Sequence, residues 1–310
     1  MGCRPDHSAS GTTCAPRPVP WGGVVARLRA STSARRLVPT GIALIGTDIL
    51  YRTLVRMSPR RSAAAVDSMS AVVGGTSRGA DVARLAPRHV AALARGWELT
   101  WRPWELARIP IRGRERLDAA RATGRGVIVS HAHLGPLAGR VPLMRLVSPV
   151  LLPHGDWLLE EPKPGYNGYQ VEQTRKLYQG AGAELVHHIG SAPRMYRTLR
   201  GGGAVLLSMD VPGSRRTDFL GKPVDLDDGT AQLAARTGAL VVPVALMPTR
   251  RRWEIEIYPA LDPRDFDGPD ELHLALARIH EELIMRAPEH LEGPGRLWAS
   301  ATSQGWRAEA

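Results

Sequence analysis

The chain has 310 residues, 43% of them hydrophobic and 23% charged, proportions that exclude collagen-like, mucin-like and polar low-complexity chains and leave enough material for a substantial core. Its two cysteines, Cys3 and Cys14, both fall at the amino terminus, which excludes a disulfide scaffold and a cysteine-rich zinc domain. The formal net charge of +11 is uneven, because residues 1–125 carry 21 arginines against 8 acidic groups while the remainder is nearly balanced. Such a localised positive surface attracts phosphates, of nucleic acid or of an anionic membrane leaflet. Lys163, Lys176 and Lys222 are the only lysines, a bias read mainly as genomic composition.

Residues 1–20 show no periodicity and read as a disordered tail without the apolar stretch of a secretory signal. The window from Leu37 to Leu54 contains Pro39, Gly41, Asp48 and Arg52, too interrupted to cross a bilayer. It can instead lie in the membrane interface, with Leu50, Leu54 and Met57 on one side and Arg52, Arg56, Arg60 and Arg61 as cations, or dock on its own domain. Residues 24–106 are helical in texture. Pro87 suits a helix start, and Trp97, Trp101 and Trp104 recur at helical spacing, either as core or as an interfacial belt.

From Gly126 the pattern changes to short apolar runs separated by helical stretches. Strands are predicted at 127–130, 147–152, 184–187, 204–209, 240–246 and 253–258, and helices at 171–179, 191–199, 230–236 and 271–285. The expected fold is α/β: a mixed, mostly parallel sheet flanked by helices, with sites at strand ends. The predicted organisation is a tail at 1–20, a basic, membrane-proximal helical segment at 21–108 and an α/β domain at 109–300.

No phosphate-binding glycine loop is present, because Gly201-Gly202-Gly203 precedes a strand instead of opening a helix. Gly75-Thr76-Ser77-Arg78-Gly79 fits G-x-S-x-G literally, but no strand precedes it as a nucleophile elbow requires, so it reads as a loop. The basic half lacks the stacking aromatics of a nucleic-acid surface, and no nucleic-acid partner is expected. Ser130-His131-Ala132-His133-Leu134-Gly135-Pro136 stands where the first clear strand ends. A histidine on a sheet rim can act as a general base near neutral pH; with no carboxylate-rich segment beside it, a metal site is not expected.

Four ordered blocks resemble the bacterial lipid A late acyltransferases and their phosphatidylinositol mannoside acyltransferase relatives, within the lysophospholipid acyltransferase superfamily. They are Ile111 to Leu117 with Gly124 to Val129; His133-Leu134-Gly135; Leu199 to Gly202 with Val205 to Asp210; and Phe219 to Pro223, Gly229 and Leu233 to Pro243. Pro288-Glu289-His290 is a fainter echo of the family's C-terminal motif. The resemblance implies a glycerol-3-phosphate acyltransferase-like fold and a fatty acyl transfer with His133 as base. It departs from the family at one point: the acid expected five positions after the histidine is Ala138, and counting from His131 reaches Pro136. A carboxylate from elsewhere, such as Glu172, Asp156 or Asp210, can replace it; His133 can act alone; or the chain is a catalytically inactive homologue that retains lipid or acyl-carrier binding.

On that resemblance His133 is the base and His131, Asp210 and Glu172 are candidates for catalytic support. Gly135 marks candidate backbone oxyanion donors, and Arg175, Arg125 and Arg140 are candidates for shaping the site or binding substrate phosphates. The donor is expected to be an acyl-carrier-protein or coenzyme A thioester, used as co-substrate, with no bound cofactor and no metal. The acceptor is expected to be a hydroxyl or amine of a lipid, glycolipid or secondary metabolite. The protein is expected to be a cytoplasmic monomer, peripheral on the inner, anionic face of the cell membrane. The arginine-rich, lysine-poor composition points to a GC-rich actinobacterium and hence to a mannoside lipid or secondary metabolite in preference to lipid A.

Overall fold

The computed structural model describes residues 31–161, 166–249 and 252–293, without the side chains of residues 34, 156, 157 and 166. The expected tail at 1–20, both cysteines and residues 294–300 lie outside the described residues.

Among the described residues, five α-helices precede the first strand: α1 (Thr32–Arg36), α2 (Thr40–Met57), α3 (Pro59–Val73), α4 (Val82–Thr100) and α5 (Pro103–Leu106). Ser58 divides α2 from α3: its extended backbone ends one helix, and its hydroxyl accepts the Arg61 N–H while Pro59 opens the next, where a missing N–H costs nothing. Pro87 does not start a helix as its sequence suggested; α4 begins at Val82 and carries Pro87 in its interior. The lost backbone bond is offset by burial of Leu85, Ala86, Ala91, Ala92 and Leu99 along that helix. The tryptophan stripe is absorbed by the fold. Trp101 is buried beneath the Arg35 guanidinium, and Arg36 and Arg102 lie over Trp104, so these aromatics are covered by arginines of the same chain.

The sheet has seven strands in the order β1 (Ile111–Arg112), β9 (Trp253–Ile257), β8 (Leu240–Pro248), β2 (Val127–His131), β5 (Ala204–Ser208), β3 (Val150–His154) and β4 (Ala183–His187). β8, β2, β5, β3 and β4 run parallel; β9 is antiparallel to β8 and carries β1 parallel to itself. All five residues of β2 are buried, as expected of a central strand covered on both faces. The helices between strands are α6 (Arg114–Ala122), α7 (Val141–Val147), α8 (Asp156–Leu159), α9 (Tyr166–Gln179), α10 (Ala192–Arg200) and α11 (Gly229–Thr237), followed by α12 (Pro269–Arg286). Val147, read from sequence as the start of a strand, ends α7, and β3 begins at Val150.

A separate hairpin, β6 (Pro212–Phe219) and β7 (Lys222–Leu226), turns at Leu220 and Gly221, both with positive φ (54° and 71°), as a tight two-residue hairpin requires. Its apolar residues Phe219, Leu220, Val224 and Leu226 share a core with Val72, Val73 and Leu85 of the amino-terminal helices and with Leu283 and Ile284 of α12. The backbones of Gly75 and Gly221 meet so closely that a Cβ on Gly221 would stand 2.0 Å from the Gly75 carbonyl oxygen. The G-x-S-x-G segment is therefore a connecting loop pressed on a hairpin, directly preceded by helix α3, with no strand ahead of it among the described residues.

Candidate active site

The site follows from strand register. β2 and β5 are parallel neighbours with His131 opposite Ser208, and the Met209 N–H donates to the His131 carbonyl oxygen at 2.8 Å. Two residues beyond each of these paired positions lie His133 and Asp210, so residues 77 apart in sequence emerge side by side at the carboxyl edge. The Asp210 carboxylate takes two hydrogen bonds from one residue: the His133 backbone N–H donates to Oδ2 at 2.8 Å and the ring Nδ1–H to Oδ1 at 2.8 Å. Asp210 is wholly buried, whereas the His133 side chain keeps 23% of its exposure. Burial pushes the Asp210 carboxyl up, but the His133 charge and its two hydrogen bonds, with help from Arg140, hold it below the ordinary aspartate value. An ionised carboxylate only accepts, so Nδ1 carries the proton and Nε2 the lone pair, the tautomer a general base needs.

His131 is placed differently. Its ring is 5.9 Å from that of His133, its Nδ1 donates to the Ala132 carbonyl and its Nε2 faces the Ser208 hydroxyl at 3.4 Å. Burial holds it well below the usual histidine value, with the Arg140 and His133 charges adding to that, so it is a neutral structural ring. Burial likewise holds His154, at the carboxyl end of β3, down to about 3. His280 is buried against the Ser130 hydroxyl at 3.0 Å and held down to about 4.

Gly135 does not supply a free oxyanion donor. Its φ is +79°, a Cβ there would stand 2.9 Å from the Leu246 carbonyl oxygen, and its N–H already donates to the His290 carbonyl at 2.9 Å. Two neighbouring amides are engaged as well: that of His133 by Asp210 and that of Gly139 by the Pro136 carbonyl. Arg140 is the group with capacity to spare. It is 8% exposed, it borders a small recess with His131, Leu134 and Leu246, and its buried Nη2 has no hydrogen-bond partner among the described residues.

Three predicted residues are not brought to His133. Arg125 precedes β2 at the opposite edge, on the order of 15 Å away by strand rise, and is bound to the Asp262 carboxylate and the Gly238 carbonyl. Glu172 pairs with Arg175 and Lys176 on α9. Arg175 itself donates to the Leu158 carbonyl at 2.8 Å and to that of Glu160, so it straps α8 to α9. The Asp156 side chain lies outside the description. Sequence reasoning missed Glu292, which the structure brings beside His133 through an antiparallel bridge between Leu134 and Leu291.

A histidine–carboxylate pair on the carboxyl edge of a mostly parallel sheet is an arrangement that can take a proton from a bound group. The sequence profile of the bacterial lipid A biosynthesis acyltransferases matches residues 80–291, and the chain belongs to that family. Phosphatidylinositol mannoside acyltransferases of two strains of Mycobacterium tuberculosis, CDC 1551 / Oshkosh and ATCC 25618 / H37Rv, are each 29% identical over 163 residues, covering 49% of this chain and 48% of theirs. The chain therefore spans about half the length of the curated relatives it matches. The crystal structure of the 1-acyl-sn-glycerophosphate acyltransferase PlsC from Thermotoga maritima aligns at 17% identity with a TM-score of 0.39, covering 80% of this chain and 97% of that one.

Proposed function

We propose that the protein transfers a fatty acyl group from an acyl-carrier-protein or coenzyme A thioester to a hydroxyl or amine of a lipid or glycolipid. The observation that carries this reading is the 2.8 Å contact between His133 Nδ1 and Asp210 Oδ1, which supplies the carboxylate absent at Ala138. In the proposed step His133 Nε2 removes the acceptor proton as the acceptor heteroatom attacks the thioester carbonyl. Asp210 stabilises the resulting imidazolium, and collapse of the tetrahedral adduct breaks the C–S bond while the imidazolium returns its proton to the departing thiolate. The Arg140 guanidinium is proposed as a stabiliser of the oxyanion, in place of the engaged loop amides. The names of the curated relatives support a mannoside-bearing glycolipid as the acceptor class.

The test is thioester consumption by the purified protein over a panel of acyl donors with a lipid extract, run beside His133→Ala. Transfer that disappears in the variant is the expected result. Acyl chains bound by the wild-type protein without turnover would sink the catalytic reading in favour of a binding protein.

We also propose that the protein works on the inner face of the cell membrane. No helix among the described residues is long and apolar enough to cross a bilayer. Leu54 turns inward to line a cavity of about 450 Å³ among α2, α3 and α4, while Ile42, Ile45 and Ile49 form an exposed stripe along α2 with Leu50 and Met57 beside it. Arg56, Arg60 and Arg61 are exposed nearby, an arrangement suited to an anionic interface. Replacing Ile45 and Ile49 together by Glu should lower binding to phosphatidylglycerol-containing vesicles about tenfold or more, since each buried isoleucine contributes roughly 1.5–3 kcal/mol. Equal sedimentation of variant and wild type with the vesicles would refute this placement.

A further inference from the structure

We propose that Glu292 is a positioning residue for the His133 base, holding the catalytic loop and its charge balance from the far end of the chain. The proposal deepens the acyl-transfer reading and rests on His133 being the base.

The geometry comes first. The segment 290–292 lies antiparallel to 133–135: the Gly135 N–H donates to the His290 carbonyl and the Glu292 N–H to the His133 carbonyl, each at 2.9 Å, around the bridged pair Leu134 and Leu291. The Glu292 backbone thus grips the residue whose side chain does the chemistry. Opposite residues of an antiparallel pair share a face, so the Glu292 side chain leaves the backbone on the same side as that of His133, in a loop whose fully buried Ala138 supplies no acid of its own.

Charge gives the second observation. The groups facing the Glu292 carboxyl are Arg140, His133 and Asp210, with the buried Tyr178 hydroxyl also in its field. Arg140 is nearly buried and its Nη2 has no hydrogen-bond partner among the described residues, so an ionised Glu292 balances a cation that Asp210, already holding His133 by two bonds, does not balance alone. Burial raises the carboxyl to about 7, against the opposing pull of Arg140 and His133. The group therefore changes charge in the range where a histidine base operates. Ionised, it favours the imidazolium that forms during transfer; protonated, it leaves Arg140 unopposed beside the ring.

Glu292→Gln separates this role from a structural one, because the backbone bonds of 290–292 to the loop and the shape of the side chain are kept while the charge is gone. A raised carboxyl value means that the folded state binds the proton more tightly than the unfolded chain, so this group's contribution to stability falls as pH rises from about 4.5 through 7. The variant should therefore melt at the wild-type temperature or above at pH 8. Two rates should nevertheless fall. Carbethoxylation of His133 by diethyl pyrocarbonate, read by peptide mass spectrometry, should slow at least about threefold, and acyl transfer about tenfold, the effect of roughly one pK unit of lost charge interaction. The part of the wild-type pH dependence that follows ionisation of Glu292 should be absent, leaving only that of the imidazole itself. Glu292→Asp, compared with Glu292→Asn, gives the same reading should the Gln variant fail to fold.

Unchanged His133 carbethoxylation in a folded, neutralised variant overturns the proposal whatever the turnover. Slowed carbethoxylation in a protein whose wild type turns over no thioester supports the positioning role and sinks the acyl-transfer reading instead.

Discussion

Asp210→Asn is expected to lower the single-turnover acyl-transfer rate by about 10³–10⁴-fold, close to the loss from His133→Ala, by comparison with the orienting acid of serine-protease triads. The reason lies in the two bonds Asp210 receives. The His133 backbone N–H can only donate, so it claims the one oxygen of an asparagine at this position. The amide NH₂ is then left facing ring Nδ1, at present 2.8 Å from Oδ1. An NH₂ donates, so Nδ1 must accept, the ring proton moves to Nε2, and the nitrogen facing the acceptor loses its lone pair. The buried shape of the residue is preserved while the tautomer is inverted. Because the two residues act as one unit, the double variant should lose hardly more than either single one. A folded Asp210→Asn protein that retains more than a tenth of wild-type rate would remove Asp210 from the mechanism.

Arg102→Met carries the largest expected loss of stability. Arg102 sits between α4 and α5 with 2% exposure and ties three segments together. Its Nε donates to Glu98 at 3.0 Å, and its Nη1 to the carbonyls of Arg35 and Val38 and to the Thr40 hydroxyl. Glu98 also holds Arg35 at 2.9 Å. Removing the guanidinium takes a donor from two carbonyls and leaves Glu98 with Arg35 alone, which for buried polar groups costs about 1–3 kcal/mol. Urea unfolding should show this as a lower midpoint at unchanged slope, and adding Glu98→Gln should recover part of it. A loss below about 1 kcal/mol would show that α1 and α2 are held by packing alone.

The strands that were legible in the sequence are those whose chemistry is uniform. β2, β5 and β8 are dominated by Val, Leu, Ile and Ala and are largely buried, and such runs between glycine breaks identify central parallel strands. The β6–β7 hairpin was not legible, because Pro212-Gly213-Ser214-Arg215-Arg216 reads as a polar loop and its pattern becomes apolar only at Phe219. β1 is two residues long, too short for any period. The candidate base stood out because the His131–His133 pair follows the end of the first clear strand, and the family resemblance, not periodicity, singled out His133. Its partner was only one candidate among several carboxylates, because the pairing of β2 with β5 is a matter of register between distant segments. Arg125 illustrates the converse: arginine beside a strand suggested phosphate binding, but nothing in a linear pattern says which edge of the sheet the residue occupies. Glu292 was out of reach for the same reason, its relation to His133 resting on a single antiparallel bridge.

That bridge has a consequence for the timing of assembly. His133 and Asp210 leave the ribosome well before residues 290–292, and until those last residues arrive the Gly135 amide and the His133 carbonyl lack their partners. A nascent chain can form the central sheet and still hold its loop open. The loop that carries His133 is thus completed only when nearly the whole described sequence has been made.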